Sequence, residues 1–138
     1  MIKTSFFDIQ TRGDTEILDI TPHVQEQLKK SVFEEGMVTV FVPGSTAGIT
    51  TIEFEPGLIK DVQAFFEKLV PERARYFHEE AWHDGNGHSH VRSAFLKTSL
   101  TVPFVKKKLT LGTWQQIVLI DFDNRPRKRR LVAQFIGE

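Results

Sequence analysis

The run QIVLIDF, residues 116–122, is apolar at consecutive positions, so an extended chain here presents apolar side chains to both of its faces. That pattern marks a central strand, covered above and below. It lies within SLTVPFVKKKLTLGTWQQIVLIDFDNRPRKRRLVAQFIGE, residues 99–138, which reads as three or four consecutive strands. DNRP reads there as the turn of a terminal hairpin.

The rest of the chain supplies more strands and two clear helices. KTSFFDIQT and TEILDI read as a first strand pair with Arg12, Gly13 and Asp14 in the turn. MVTVFVP and GITTIEFE, rich in β-branched residues, read as strands around the small-residue loop GSTAG. In TPHVQEQLKKSVF, Thr21 is placed to cap a helix, Pro22 suits its first turn, and Val24, Leu28 and Val32 recur every four residues. PGLIKDVQAFFEKLVP carries the stronger helical pattern, with Leu58, Ile59, Val62, Phe65, Phe66, Leu69 and Val70 between two prolines. From Glu72 to Asn86 no period is visible. The expected architecture is α+β, a mostly antiparallel sheet system with two main helices against it, in a single domain spanning residues 1–138.

Composition narrows the chemistry. At 138 residues a chain buries roughly two-thirds of its unfolded surface, enough for a core without staples. There is no cysteine, so any metal must take nitrogen and oxygen ligands. Eighteen basic and eighteen acidic residues cancel, which removes the broad positive field of a nonspecific nucleic-acid binder. No stretch approaches the roughly 20 apolar residues of a membrane span, and a cytoplasmic protein is expected.

Three segments carry candidate sites. WHDGNGHSHVR, residues 82–92, holds His83, His88 and His90, with His78 just upstream. In an extended segment His88 and His90 would point to one side and share an ion, whereas on a helix they would diverge. His83, Asp84 or His78 would add a third ligand, the neighbouring glycines letting the chain curl; a solvated polar loop is the bland alternative. GSTAGITTIE offers backbone amides and the Ser45 and Thr46 hydroxyls to a phosphate or carboxylate, with Glu53 and Asp61 as nearby general-base or ligand candidates. RPRKRR, residues 125–130, places five basic residues in six; alternation along a strand would send Arg127 and Arg129 to one face, Lys128 and Arg130 to the other. One arginine turned inward would clamp an anion bidentately.

Taken in order, STAGIT, WHDGNGHSHVRSAFLKTSLTVP, LTLGTWQQIVLIDFDNRPRKRR and the closing IGE resemble the YjbQ-like family, some of whose members are called secondary thiamine-phosphate synthases. The resemblance implies a compact α+β fold, a homotrimer, and a metal-associated histidine site near the subunit boundary. It implies a divalent metal ion, whether zinc, magnesium or manganese, and a small phosphorylated substrate. His90 matches the family's most constant histidine, His88 its GHSH form, and His78 a histidine upstream of the site. Glu53, Asp61, Thr113, Trp114, Gln115, Arg129 and Arg130 also match. Gly44 and Ile52 depart from it, standing where many members have a histidine and an asparagine; His83 is the expected replacement for the missing imidazole. On this reading the metal is held by His78, His83, His88 and His90. Ser45, Thr46, Gln115 and Arg130 bind substrate, and Glu53 and Asp61 handle protons. A non-catalytic trimer binding a metal or phosphorylated ligand is the alternative.

Overall fold

A computed structural model describes residues 1–138. In chain order the elements are β1 (Ile2–Thr11), β2 (Glu16–Asp19), α1 (Thr21–Lys29), β3 (Gly36–Phe41), β4 (Ala47–Ile52), α2 (Pro56–Leu69), α3 (Phe77–Trp82), α4 (Gly87–Leu96), β5 (Ser99–Val105), β6 (Lys108–Leu109), β7 (Gln116–Asp121) and β8 (Arg127–Gly137). The strands form two antiparallel sheets, one ordered β1-β8-β3-β5-β6 and the other β2-β7-β4.

β7 takes the central position its sequence demands. Ile117 and Leu119 face the larger sheet and join Val38, Val40, Ile49, Leu131 and Phe135 in the main core. Val118, Ile120 and Phe122 face the other way, onto Phe66 of α2, whose ring lies 4.8 Å from that of Phe122. All four residues from Ile117 to Ile120 are 0 % exposed. α1 closes the sandwich with Val24 and Leu28.

Three sequence expectations change. β1 and β2 do not pair with each other, and DNRP does not turn a hairpin: β1 pairs β8 while β2 pairs β7, and the chain crosses from one sheet to the other between β7 and β8. A strand that is apolar on both faces needs a sheet opposite it, so its sequence neighbour is more useful facing it than beside it. Thr21 does not cap α1 through its own side chain; its N–H donates to Asp19 Oδ1 at 2.9 Å, and its hydroxyl accepts from the Ile117 amide at 2.8 Å. Val32 lies beyond α1 and is exposed.

The third change is that two further helices, α3 and α4, occupy the aperiodic segment and the ten residues beyond its end. The buried face of α4 consists of His88, Ser89, Arg92 and Ser93 rather than hydrophobic residues. The spacing is helical, but polar side chains carry it. Ser93 Oγ donates to the Ala47 carbonyl at 2.6 Å, Ser89 Oγ donates to the Phe122 carbonyl, and Arg92 donates to the Val70 carbonyl at 2.7 and 2.9 Å and to Thr15 Oγ1 at 2.8 Å. Each donor meets a carbonyl or hydroxyl that would otherwise be stranded in the interior.

α4 lies close against β4 because residue 48 is glycine. A Cβ there would stand 2.7 Å from Leu96 Cδ2 and 2.8 Å from the Lys97 carbonyl oxygen, and the latter belongs to the backbone. Gly48→Ala is therefore expected to destabilise the fold by about 1–3 kcal/mol through overpacking. Urea denaturation checks this, and a variant as stable as the parent contradicts the packing described.

Candidate functional site

WHDGNGHSHVR folds as the end of α3, a tight turn and the start of α4. His83 leaves α3 in the left-handed conformation with φ 56°, and Gly85 comes two residues later at φ 69°. Gly87 opens α4 hard against α3: a Cβ would lie 2.5 Å from Tyr76 Cβ and 2.7 Å from Glu79 Oε1. In return, the Gly87 amide donates to Glu79 Oε1 at 2.5 Å. The glycines that read as freedom to curl thus serve a close helix–helix turn.

Because residues 87–96 are helical, His88 and His90 diverge by about 200° around the axis rather than sharing an ion. His88 is 2 % exposed, its ring 6.4 Å from that of Tyr76, with Nδ1 unpaired. His83 is exposed and lines a shallow groove with Arg75, Tyr76, Glu79 and Glu80. The four histidines expected to converge do not: no three His, Asp or Glu side chains stand in position to hold an ion together.

His78 and His90 do meet, with ring centroids 4.3 Å apart. Asp84 Oδ1 lies 3.4 Å from His78 Nε2. The Asn86 amide stands beside them. With Nδ2 toward Asp123 Oδ1 it donates at 3.3 Å. Turned by 180°, it donates instead to Asp84 Oδ1 at 2.8 Å, Asp84 Oδ2 at 3.2 Å and His78 Nε2 at 3.2 Å, the orientation that pairs more of the acceptors around it. His90 opens on its other side into a cleft of about 490 Å³, lined also by Gly44, Ser45, Ser93, Lys97 and Ser99. Burial first, and then the nearby His78, hold the His90 imidazole below its usual range, which favours the neutral, ligating form.

Beneath this group lies a network of buried charges. Arg129 Nε and Nη2 grip the two oxygens of Asp121 at 2.8 and 2.9 Å, and Nη2 also donates to Thr46 Oγ1 at 2.7 Å. Arg127 Nε and Nη2 reach Asp123 Oδ2 at 2.9 and 2.7 Å. Thr11 Oγ1 donates to Asp121 Oδ2 at 2.6 Å and Thr46 Oγ1 to Asp123 Oδ2 at 3.1 Å. Both carboxylates are 0 % exposed. Burial alone would raise the Asp123 carboxyl; bonds from Arg127, the Asn124 amide and Asn86 outweigh it and hold it below the usual range.

The remaining expectations divide. Ser45 stands on the cleft beside His90. Thr46 is buried, with its hydroxyl committed to Arg129 and Asp123, so it is not free for a phosphate. Gln115 bonds Thr51 Oγ1 at 3.1 Å and lines another cleft, with Ile49, Leu96 and Leu111, which shares Lys97 and Ser99 with the first. Arg130 points out of the larger sheet with its guanidinium 4.6 Å from the centre of the Phe6 ring. Glu53 is exposed just past the far end of β4, roughly 20 Å of strand from Ala47, and Asp61 is exposed on α2, which returns along the smaller sheet so that Gln63 bonds the Thr15 carbonyl; neither is hydrogen-bonded or ion-paired to the histidine pair. Sequence reasoning passed over Asn86, Asp121, Asp123 and Lys97, and named Asp84 only in passing. The one available signal was an aspartate pair at i, i+2 in an apolar strand, answered by arginines at i, i+2 after the turn.

Removing Asp121 leaves Arg129 charged and enclosed. Asp121→Ala should cost about 3–5 kcal/mol in urea denaturation, and a loss below about 1 kcal/mol contradicts the network's structural role. A second outcome concerns pH. Burial, and then Arg92, hold the His88 imidazole below its ordinary value. The unfolded chain therefore takes up protons first on acidification, so stability is full above about pH 6.5 and falls below it. With chelator present, the melting temperature should drop between pH 7 and 5, and less so in His88→Phe; equal drops contradict this.

Comparison with known proteins agrees with the fold. The family model described as UPF0047 protein YjbQ-like matches residues 5–138. A UPF0047 protein of Archaeoglobus fulgidus is 36% identical over 126 residues, covering 91% of this chain and 95% of that protein. One from Methanocaldococcus jannaschii is 34% identical over 140 residues, covering 100% and 98%. Among solved structures, a YbjQ-like protein of unknown function from Sulfolobus solfataricus superposes with TM-score 0.90 at 31% identity, over 100% of both chains. A hypothetical protein from Aeropyrum pernix gives TM-score 0.91 at 31% identity, over 99% of each. With the family model covering all but the first four residues, the chain belongs to the UPF0047 YjbQ-like family.

Proposed function

We propose that the chain is a metal-associated enzyme acting on a small phosphorylated substrate, with the His78–His90 pair supplying two ligands to a divalent ion and Asp84 closing onto it when it binds. The observation that carries this reading is the meeting of two imidazoles, His78 and His90, with ring centroids 4.3 Å apart and Asp84 Oδ1 3.4 Å from His78 Nε2. Two imidazoles and a carboxylate suit zinc or manganese better than magnesium, which prefers oxygen alone. Such an ion would supply charge to steady a departing or attacking oxygen. The cleft beside His90 would receive the substrate, with Ser45 and the Lys97 ammonium available to its phosphate. Formation of thiamine phosphate from a pyrimidine pyrophosphate and a thiazole phosphate is the reaction to test first, and a homotrimer is the expected assembly.

One observation favours a second reading, a trimeric protein that binds a metal or phosphorylated ligand without turning it over. Neither Glu53 nor Asp61 pairs with a histidine, and the carboxylate that does contact the pair, Asp84, lies against His78 as a candidate ligand.

Metal analysis of the purified protein is expected to find a stoichiometric divalent ion. His90→Ala and Asp84→Ala should each weaken its binding by at least about tenfold, and His88→Phe should leave it unchanged. Absence of metal, or equal loss in His88→Phe, sinks the site. With metal bound, turnover of the two thiamine precursors supports the enzyme; its absence there supports the binding protein.

A further inference from the structure

The basic run that the histidine site does not use lies at a gap in the larger sheet. β3 stops pairing with β8 at Phe41 opposite Val132, so Arg127–Leu131 keep β1 on one side and have no strand on the other. The chain leaves through Pro43 and Gly44, and the gap is a notch of about 370 Å³. Because it wraps a strand edge, side chains from both faces of β8 line it, and the alternation that should halve the basic patch brings it together instead.

The cations there are unequally committed. Lys128 lies 3.6 Å from Asp8 Oδ2. Arg127 spends Nε and Nη2 on Asp123. Arg129 is 8 % exposed and spends Nε and Nη2 on Asp121 and Thr46, while its Nη1 makes no hydrogen bond within the protein. Gly44 leaves that atom uncovered, since a Cβ at residue 44 would stand 3.2 Å from Nη1. Arg130 is in no ion pair and is braced over the Phe6 ring. Two guanidinium groups are thus fixed in place, by Asp121 and by an aromatic ring, with donors left over. Fixed donors lose little freedom on meeting an anion.

We propose that this notch is an anion subsite for the phosphoryl group of a small organic phosphate, with Arg130 and Arg129 Nη1 as its donors. Three carboxylates, Asp8, Asp121 and Asp123, face four cations around it, which leaves one positive charge and an excess of N–H groups. Phe6, Pro43 and Val132 give the notch an apolar wall beside the donors, room for an organic moiety next to the phosphate. The subsite stands across the Pro43–Gly44 bend from the His90 cleft, Pro43 lining one and Gly44 the other. It adds an anion position to the proposed function but needs no metal.

Inorganic phosphate titrated into the full-length protein with EDTA present, monitored by phosphorus NMR, tests it apart from the metal reading. Saturable binding is expected, weakened roughly tenfold or more by Arg130→Ala, unchanged by Lys29→Ala, which removes an exposed cation on α1, and stronger than binding of acetate. Arg130→Gln, which keeps a polar side chain but removes the charge, should weaken it likewise, and both arginine variants should keep the parent melting temperature. No saturable binding, equal affinity in the arginine variants, equal loss in Lys29→Ala, or acetate bound as well as phosphate overturns the proposal.

Discussion

Two aspartates with no solvent contact, Asp121 and Asp123, are the joint on which this molecule turns. They stand at the end of β7 and just beyond it, in the smaller sheet, and the arginines that neutralise them stand on β8, in the larger one. Thr11 from the end of β1 and Thr46 from just before β4 complete the bonds. An enclosed carboxylate is costly unless charge and hydrogen bonds compensate it fully, so the pairing does little to add stability and much to specify geometry. Only one relative placement of the two sheets satisfies all the groups. The hydrophobic layers say that the sheets face each other; the ion pairs say where.

The same joint prepares the candidate site. Asn86, the residue before α4, stands between Asp123 and the Asp84–His78 pair, within hydrogen-bond reach of both. A buried polar group one step behind a ligand side chain is how proteins hold metal-binding side chains in place. His90 reaches the same place from the next turn of α4, and α4 is itself fixed by Ser93 on Ala47 and by the close approach that Gly48 permits. Sheet packing, helix placement and ligand orientation therefore share one set of bonds.

Hydrophobic period governed how much was legible in the sequence. β7, α2 and the antiparallel α+β class could be read because apolar residues announce their faces. α4 could not, because His88, Ser89, Arg92 and Ser93 occupy its buried face and a hydrophobic period is blind to them. That one miss decided the site: an HxH read as extended joins His88 to His90, whereas on a helix His88 turns inward and His90 meets His78. Strand pairing was also out of reach, since sequence neighbours such as β7 and β8 lie in different sheets and meet through core packing and ion pairs rather than a hydrogen-bonded ladder. The inward arginine of RPRKRR was foreseen as an anion clamp, but the anion that Arg129 clamps is the protein's own Asp121.

The proposed divalent ion at the His78–His90 pair is tested most directly by anomalous diffraction from crystals grown with zinc or manganese, recorded at the metal's absorption edge. The account predicts a single strong peak about 2.0–2.2 Å from a ring nitrogen of His78 and one of His90. A peak at His88 or His83 instead, or no peak, would contradict it.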